Sequence, residues 1–253
     1  MQKKLTVPER LIVAADFKPT DLAQTDDISS YRDQVLKQVL KLAINLKGTG
    51  VYLKVNSALR ACGYDLIDEI HDCGLRVFAD LKLFDIGNTL TDDGVLLREA
   101  KPELLTTVCA AGVAAMKALK AELPDTEVLG VTVLTSLTEK EAYEMFSAHI
   151  DVAVTRLTDL GEETGLDGFI CSPKEAAVLR SRISSTRTIN TPGIRPAWTI
   201  VEGDDQNQER IMTPAQAIQA GADRIVVGRP IVKYHDPREA VMRTLDEIAS
   251  VTQ

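Results

Sequence analysis

Short apolar runs of strand length alternate with helix-like segments along all 253 residues, and this alternation restricts the fold more than any other feature of the chain. The runs lie at Leu11 to Ala15, Val51 to Val55, Leu75 to Lys82, Leu104 to Cys109, Val128 to Leu134, Gly168 to Cys171, Thr186 to Asn190 and Arg224 to Val227. The clearest helical pattern follows the first run, where Val35, Val39, Leu42, Ala43 and Leu46 recur at spacings of three and four and form one apolar stripe. Leu66, Ile67 and Ile70 mark the next. Gly48, Gly50, Gly74 and Gly221 stand where helices should end before the following strand. Repeated βα units imply a parallel sheet covered by helices, and eight of them predict a single-domain (β/α)8 TIM barrel spanning 1–253.

With 45% hydrophobic residues the chain can bury a core of that size. Its formal net charge of −8 argues against a general nucleic-acid binder, so an anionic ligand would need a local basic pocket. The polar stretch Met1 to Arg10 has no apolar signal region, and no segment approaches membrane-span length; a cytoplasmic location without membrane contact is expected. Cys62, Cys73, Cys109 and Cys171 lack the paired spacing of a zinc site and read as small buried apolar residues in a reducing compartment. His71, His149 and His235 form no ligand cluster in sequence, so no metal is expected.

In a (β/α)8 barrel, reacting groups belong at the C-terminal strand ends and in the loops that follow. The polar residues there are Asp16, Lys54, Asp80 with Lys82 and Asp85, Thr135, Arg195 with Gln208, and Arg229. The third run is unusual because it carries charge inside a strand. With a period of two, Asp80 and Lys82 share one face while Ala79, Leu81 and Leu83 take the other. If the apolar face meets the helices, the charged pair points into the barrel. An isolated Asp-x-Lys could be an ordinary interior ion pair. A third charge at Asp85, and Lys54 at the end of the second strand, instead suggest an array of opposite charges around one cavity.

Asp80, Lys82 and Asp85, followed by Ile86-Gly87-Asn88-Thr89, resemble the Asp-x-Lys-x-x-Asp signature of the orotidylate decarboxylase family. The resemblance runs through Ala15-Asp16-Phe17, Leu53-Lys54-Val55, Val133-Leu134-Thr135-Ser136, Thr191-Pro192-Gly193-Ile194-Arg195 and Val227-Gly228-Arg229-Pro230. It implies cofactor-free and metal-free loss of carbon dioxide from orotidine 5'-phosphate, giving uridine 5'-phosphate in pyrimidine biosynthesis. Lys82 would face C6, stabilise the carbanion and donate the replacing proton, with Asp80 and Asp85 flanking it. Asp16 and Lys54 would serve the ribose and the charge network, and Thr135 the pyrimidine. Gly228, Arg229, Gln208 and Arg195 would hold the phosphate, Gly228 and Arg229 at a position where such barrels commonly bind it. Arg195 to Gln208 suits a lid.

The same resemblance implies a homodimer in which Asp85 and Thr89 reach into the neighbouring subunit's site. Cys109, where many members carry histidine, and Val113, where they carry glycine, depart from the pattern. Metal-dependent keto-sugar phosphate decarboxylases and hexulose phosphate synthases share the Asp-x-Lys-x-x-Asp strand and form the alternative. A non-catalytic phosphate-binding barrel would have to retain the buried charges without using them.

Overall fold

The computed structural model describes residues 4–17, 28–199 and 212–252. Eight parallel strands pair in chain order and close into a barrel: β1 (Leu11–Ala14), β2 (Tyr52–Val55), β3 (Arg76–Leu83), β4 (Leu104–Val108), β5 (Glu127–Val131), β6 (Gly168–Ile170), β7 (Thr188–Thr191) and β8 (Arg224–Val227). Helices α1 (Ile28–Leu46), α2 (Ser57–Cys62), α3 (Asp65–Asp72), α4 (Gly87–Ala100), α5 (Val113–Glu122), α6 (Glu139–Phe146), α7 (Ile150–Thr164), α8 (Ala176–Arg182), α9 (Pro214–Gln219), α10 (Arg229–Val232) and α11 (Pro237–Ala249) fill the crossovers and the C-terminus. Among the described residues no helix is long and apolar enough to cross a membrane.

Side-chain alternation along the strands separates two cores. Leu11, Val13, Leu53, Val55, Val77 and Ala79 face outward into the larger core, which includes the buried α1 stripe of Val35, Val39, Leu42, Ala43 and Leu46. The intervening residues Ile12, Ala14, Tyr52, Phe78, Leu104, Leu129 and Val226 pack together inside the barrel. The four glycines read as helix stops all have left-handed φ, from 75° at Gly50 to 103° at Gly221.

The N-terminal end of the barrel is closed by a polar plug. Arg224 is wholly buried and meets Glu127 through two parallel bonds of 3.0 Å. The same guanidinium reaches Asn190 Oδ1 at 3.3 Å and lies 5.3 Å from the Tyr52 ring centre.

Most sequence-derived strand boundaries shift by one residue, and those of β5 and β7 shift further. β5 stops at Val131 rather than Leu134 because its partner β6 ends at Ile170, and Val131 with Ile170 is the last ladder pair. Leu134 is consequently exposed. β7 begins at Thr188 rather than Thr186, since Ser184 and Thr186 are engaged in a turn. Cys109 starts a short 3-10 turn beyond β4. The cysteines divide: Cys109 and Cys171 are buried, whereas Cys62 and Cys73 are only partly so, because their helices end near the surface. Burial pushes the Cys109 thiol up to about 12.

Candidate active site

Four charges alternate in sign across the C-terminal mouth of β1, β2 and β3. Lys54 continues the inward row begun by Tyr52, and Asp80 continues the row begun by Phe78. Because β1, β2 and β3 are adjacent, with Ala14 opposite Lys54 and Lys54 opposite Phe78, these side chains converge. Lys54 Nζ donates to Asp16 Oδ1 and Oδ2 at 3.0 and 2.9 Å, and lies 3.1 Å from Asp80 Oδ2. Lys82 Nζ reaches both Asp80 oxygens at 2.7 Å.

Burial and charge compete at the centre of this chain. Desolvation opposes the ammonium of Lys54, but the facing carboxylates of Asp80 and Asp16 outweigh it and hold its pKa above the ordinary lysine value. Desolvation would likewise raise Asp80, yet Lys54 and Lys82 pull it below the usual carboxylate range. Both therefore stay ionised at neutral pH. The outer members are more open: the Lys82 side chain is one-third exposed and that of Asp16 about half, at 33% and 53%.

β3 reaches this arrangement by breaking its ladder with β4. Ala79 pairs with Leu105 and Leu83 with Thr107, so Asp80, Leu81 and Lys82 stand opposite Thr106 alone. Lys82 lies in the bulge with φ of 50°, a left-handed conformation that non-glycine residues seldom adopt. Side chains satisfy the freed backbone groups. Arg60 donates to the Leu81 carbonyl at 2.8 Å, Thr107 donates to that of Leu83 at 2.9 Å, and the Lys82 N–H donates to Thr106 Oγ1 at 2.9 Å.

Sequence reasoning missed Arg60, Thr106 and Thr107. The available signal was two hydroxyls within the otherwise apolar run Leu104 to Val108, each of which needs a partner when buried.

The remaining candidates are distributed around the mouth. Asp85 is exposed in the loop after β3, where its Oδ1 accepts from the Ile86 N–H at 2.7 Å; it does not join Lys82 within the described chain. Thr89 is half-buried in the first turn of α4. Thr135 is exposed beyond β5. Arg195 is half-buried, and its N–H donates to the Met212 carbonyl at 3.0 Å, so the chain on either side of 200–211 is fastened together. Gln208 lies outside the described residues. Gly228 caps α10, and Arg229 beside it borders an open depression of about 330 Å³ shared with Trp198, Thr199, Pro230, Lys233, Tyr234 and Arg243. That depression supplies cations and aromatic surface but no member of the Asp16 to Lys82 array. Among the described residues, no group of three or more His, Cys, Asp or Glu side chains is arranged to hold a metal ion.

Comparison with known proteins places this geometry in a family. Residues 9–244 match the Orotidine 5'-phosphate decarboxylase / HUMPS family. A protein of Opitutus terrae named orotidine 5'-phosphate decarboxylase is 38% identical over 236 residues, covering 91% of this chain and 99% of the relative. One of the same name from Afipia carboxidovorans is 38% identical over 95% of each chain. The crystal structure of orotidine 5'-phosphate decarboxylase from Lactobacillus acidophilus superposes with a TM-score of 0.72 at 26% identity, covering 95% of this chain and 99% of that one. The match of fold, length and sequence extends across nearly the whole barrel, and the chain belongs to the orotidine 5'-phosphate decarboxylase / HUMPS family.

Proposed function

We propose that the protein decarboxylates orotidine 5'-phosphate to uridine 5'-phosphate, acting as a single barrel domain, and that the alternating Asp16, Lys54, Asp80 and Lys82 array performs the chemistry. The observation carrying this reading is the Lys82 ammonium held against Asp80 at the barrel mouth. When the bond from C6 to the carboxylate breaks, its electron pair remains on C6 in the ring plane, where the π system cannot spread it. A positive charge fixed beforehand at C6 offsets that pair without reorganising in the reaction step. Lys82 then transfers a proton to C6, carbon dioxide leaves, and the lysine regains its proton from solvent.

Asp80 fixes the Lys82 ammonium on one side, and Lys54 fixes Asp80 on the other. Asp16 and Lys54 are assigned to the ribose end and Thr135 to the pyrimidine. Arg195, Gln208, Gly228 and Arg229 are assigned to the phosphate. Arg229 is exposed at the start of α10, which suits a phosphate reached from the barrel rim.

Asp85 and Thr89 are assigned to the neighbouring subunit's site in a homodimer. Asp85 sits between Phe84 and Ile86, whose side chains are 64% and 70% exposed, an apolar pair that a second copy would cover. The working location is the cytoplasm.

The test mixes purified protein, orotidine 5'-phosphate and a strong chelator, and follows the loss of substrate ultraviolet absorbance. Turnover that persists in chelator and disappears in Lys82→Ala is expected. Absence of turnover refutes the reading; activity on a keto-sugar phosphate that requires added metal would establish the metal-dependent alternative instead.

A further inference from the structure

We propose that Thr106 is a positioning residue for Lys82, a role that rests on the reading of Lys82 as the proton donor. Its hydroxyl has two assignments at once. Oγ1 accepts the Lys82 backbone N–H at 2.9 Å and donates its own hydrogen to Asp80 Oδ1 at 3.0 Å. A hydroxyl offers one donor and can accept as well, so the two bonds are compatible, and the acceptor bond directs the hydrogen toward the carboxylate. One side chain thus grips both the main chain from which the ammonium extends and the carboxylate that anchors its far end.

The bulge makes this grip necessary. In a regular parallel ladder, β4 would meet the Lys82 N–H with a carbonyl, but Thr106 faces three residues of β3 and the main-chain pairing is interrupted. Lys82 is left with φ of 50°, a left-handed conformation that is strained for a non-glycine residue. The Lys82 N–H bond to Thr106 is the contact that β4 makes with the Lys82 main chain itself, the neighbouring Thr107 holding Leu83. Thr106 itself is wholly buried, so water does not substitute for the hydroxyl. Without it, β4 holds the bulge only beyond Lys82, through Thr107 and Leu83, and Asp80 loses a donor at Oδ1, the oxygen other than the one nearest Lys54.

The ammonium would then sample positions away from the reacting carbon. Substrate binding would be affected little, because Thr106 lies beneath Asp80 and not at the open rim. Misplacement of a reacting group by a fraction of an ångström lowers turnover before it lowers affinity.

Thr106→Val preserves shape and removes both bonds, while Thr106→Ser keeps the hydroxyl. Each is compared with wild type for kcat and KM on orotidine 5'-phosphate, Kd for uridine 5'-phosphate, and Tm. The expected result is a fall in kcat of about 10- to 100-fold for T106V, the range set by losing hydrogen bonds around a charged group. KM and Kd should stay within about threefold, and T106S should recover kcat to within about threefold of wild type. If T106V does not fold, Thr106→Cys, whose thiol is only a weak donor and acceptor, is compared with T106S in its place. Wild-type kcat in the valine or cysteine variant overturns the proposal. So does an equal loss in T106S, or a loss of kcat matched by an equal loss of nucleotide affinity. A wild-type protein inactive on orotidine 5'-phosphate would refute the underlying reaction, and the inference with it.

Discussion

Lys54 is the residue on which the stability of the array depends, because it is the cation shared by two carboxylates. Removing it leaves Asp80 buried with only Lys82 on its outer side. Breaking a buried pair by deleting one partner typically costs about 3–5 kcal/mol. Lys54→Met, similar in length but uncharged, is expected to lose about 3 kcal/mol in urea unfolding, whereas Asp16→Asn at the half-exposed end should lose less than about 1 kcal/mol. Equal losses in the two variants would contradict the graded burial. At this scale the sequence was informative where charge interrupts an apolar strand, and Asp80 with Lys82 were therefore legible. The left-handed backbone of Lys82 was not, since the residue types that announce positive φ are glycine and asparagine, and the strain is imposed by the neighbouring strand. Thr106 escaped notice for the same reason: its partner is a main-chain group exposed only by that bulge.

Among the elements, α3 is tied to the sheet by a titratable clasp. His71 Nε2 lies 3.2 Å from Glu103 Oε2, and the same oxygen accepts the Val77 N–H of β3 at 2.7 Å. The bond to Glu103 raises the His71 pKa above 6.5 against the opposing effect of burial. A value raised in the folded state contributes stability that is complete below the unfolded pKa and is lost as pH rises through the folded one. Burial works to raise Glu103, but His71 and the Val77 N–H bring it below its ordinary 4.5, so its contribution is lost only in acid. The Tm advantage of wild type over His71→Gln should therefore be largest below pH 6.5, where Glu103 is still ionised, and shrink across the interval above it. A difference that is constant over that interval would refute the clasp. Strand boundaries were the least legible part of these elements. Val128 to Leu134 reads as one uninterrupted apolar run, yet the strand stops where β6 ceases to offer partners. That limit belongs to another segment and leaves no mark on the run itself.

For the whole molecule, the barrel followed from the eightfold alternation, because each βα unit carries its own periodicity and closure needs no further instruction. Association is a different matter, since it depends on surfaces whose partner lies outside the chain. The shared-site reading nevertheless makes a sharp prediction. If each site combines Lys82 of one protomer with Asp85 of the other, Lys82→Ala and Asp85→Ala homodimers should both be nearly inactive. Subunit exchange would then create dimers with one intact site and one site bearing both lesions. Random pairing makes about half the dimers mixed, so activity should return to roughly a quarter of wild type per site. Recovery should track the mixed species seen by native mass spectrometry. Confirmed exchange without recovery would mean that Asp85 serves its own subunit.

The plug of Arg224 and Glu127 beneath the filled interior has a consequence for traffic. A barrel sealed at its base is a cul-de-sac. Among the described residues the base offers no second exit, so under the proposed reaction nucleotide and both products would share one doorway. If the proposed site is right, carbon dioxide released beside Lys82 would have to pass the nucleotide or wait behind it. The order of departure would then be set by that one doorway, whatever the speed of the bond cleavage within.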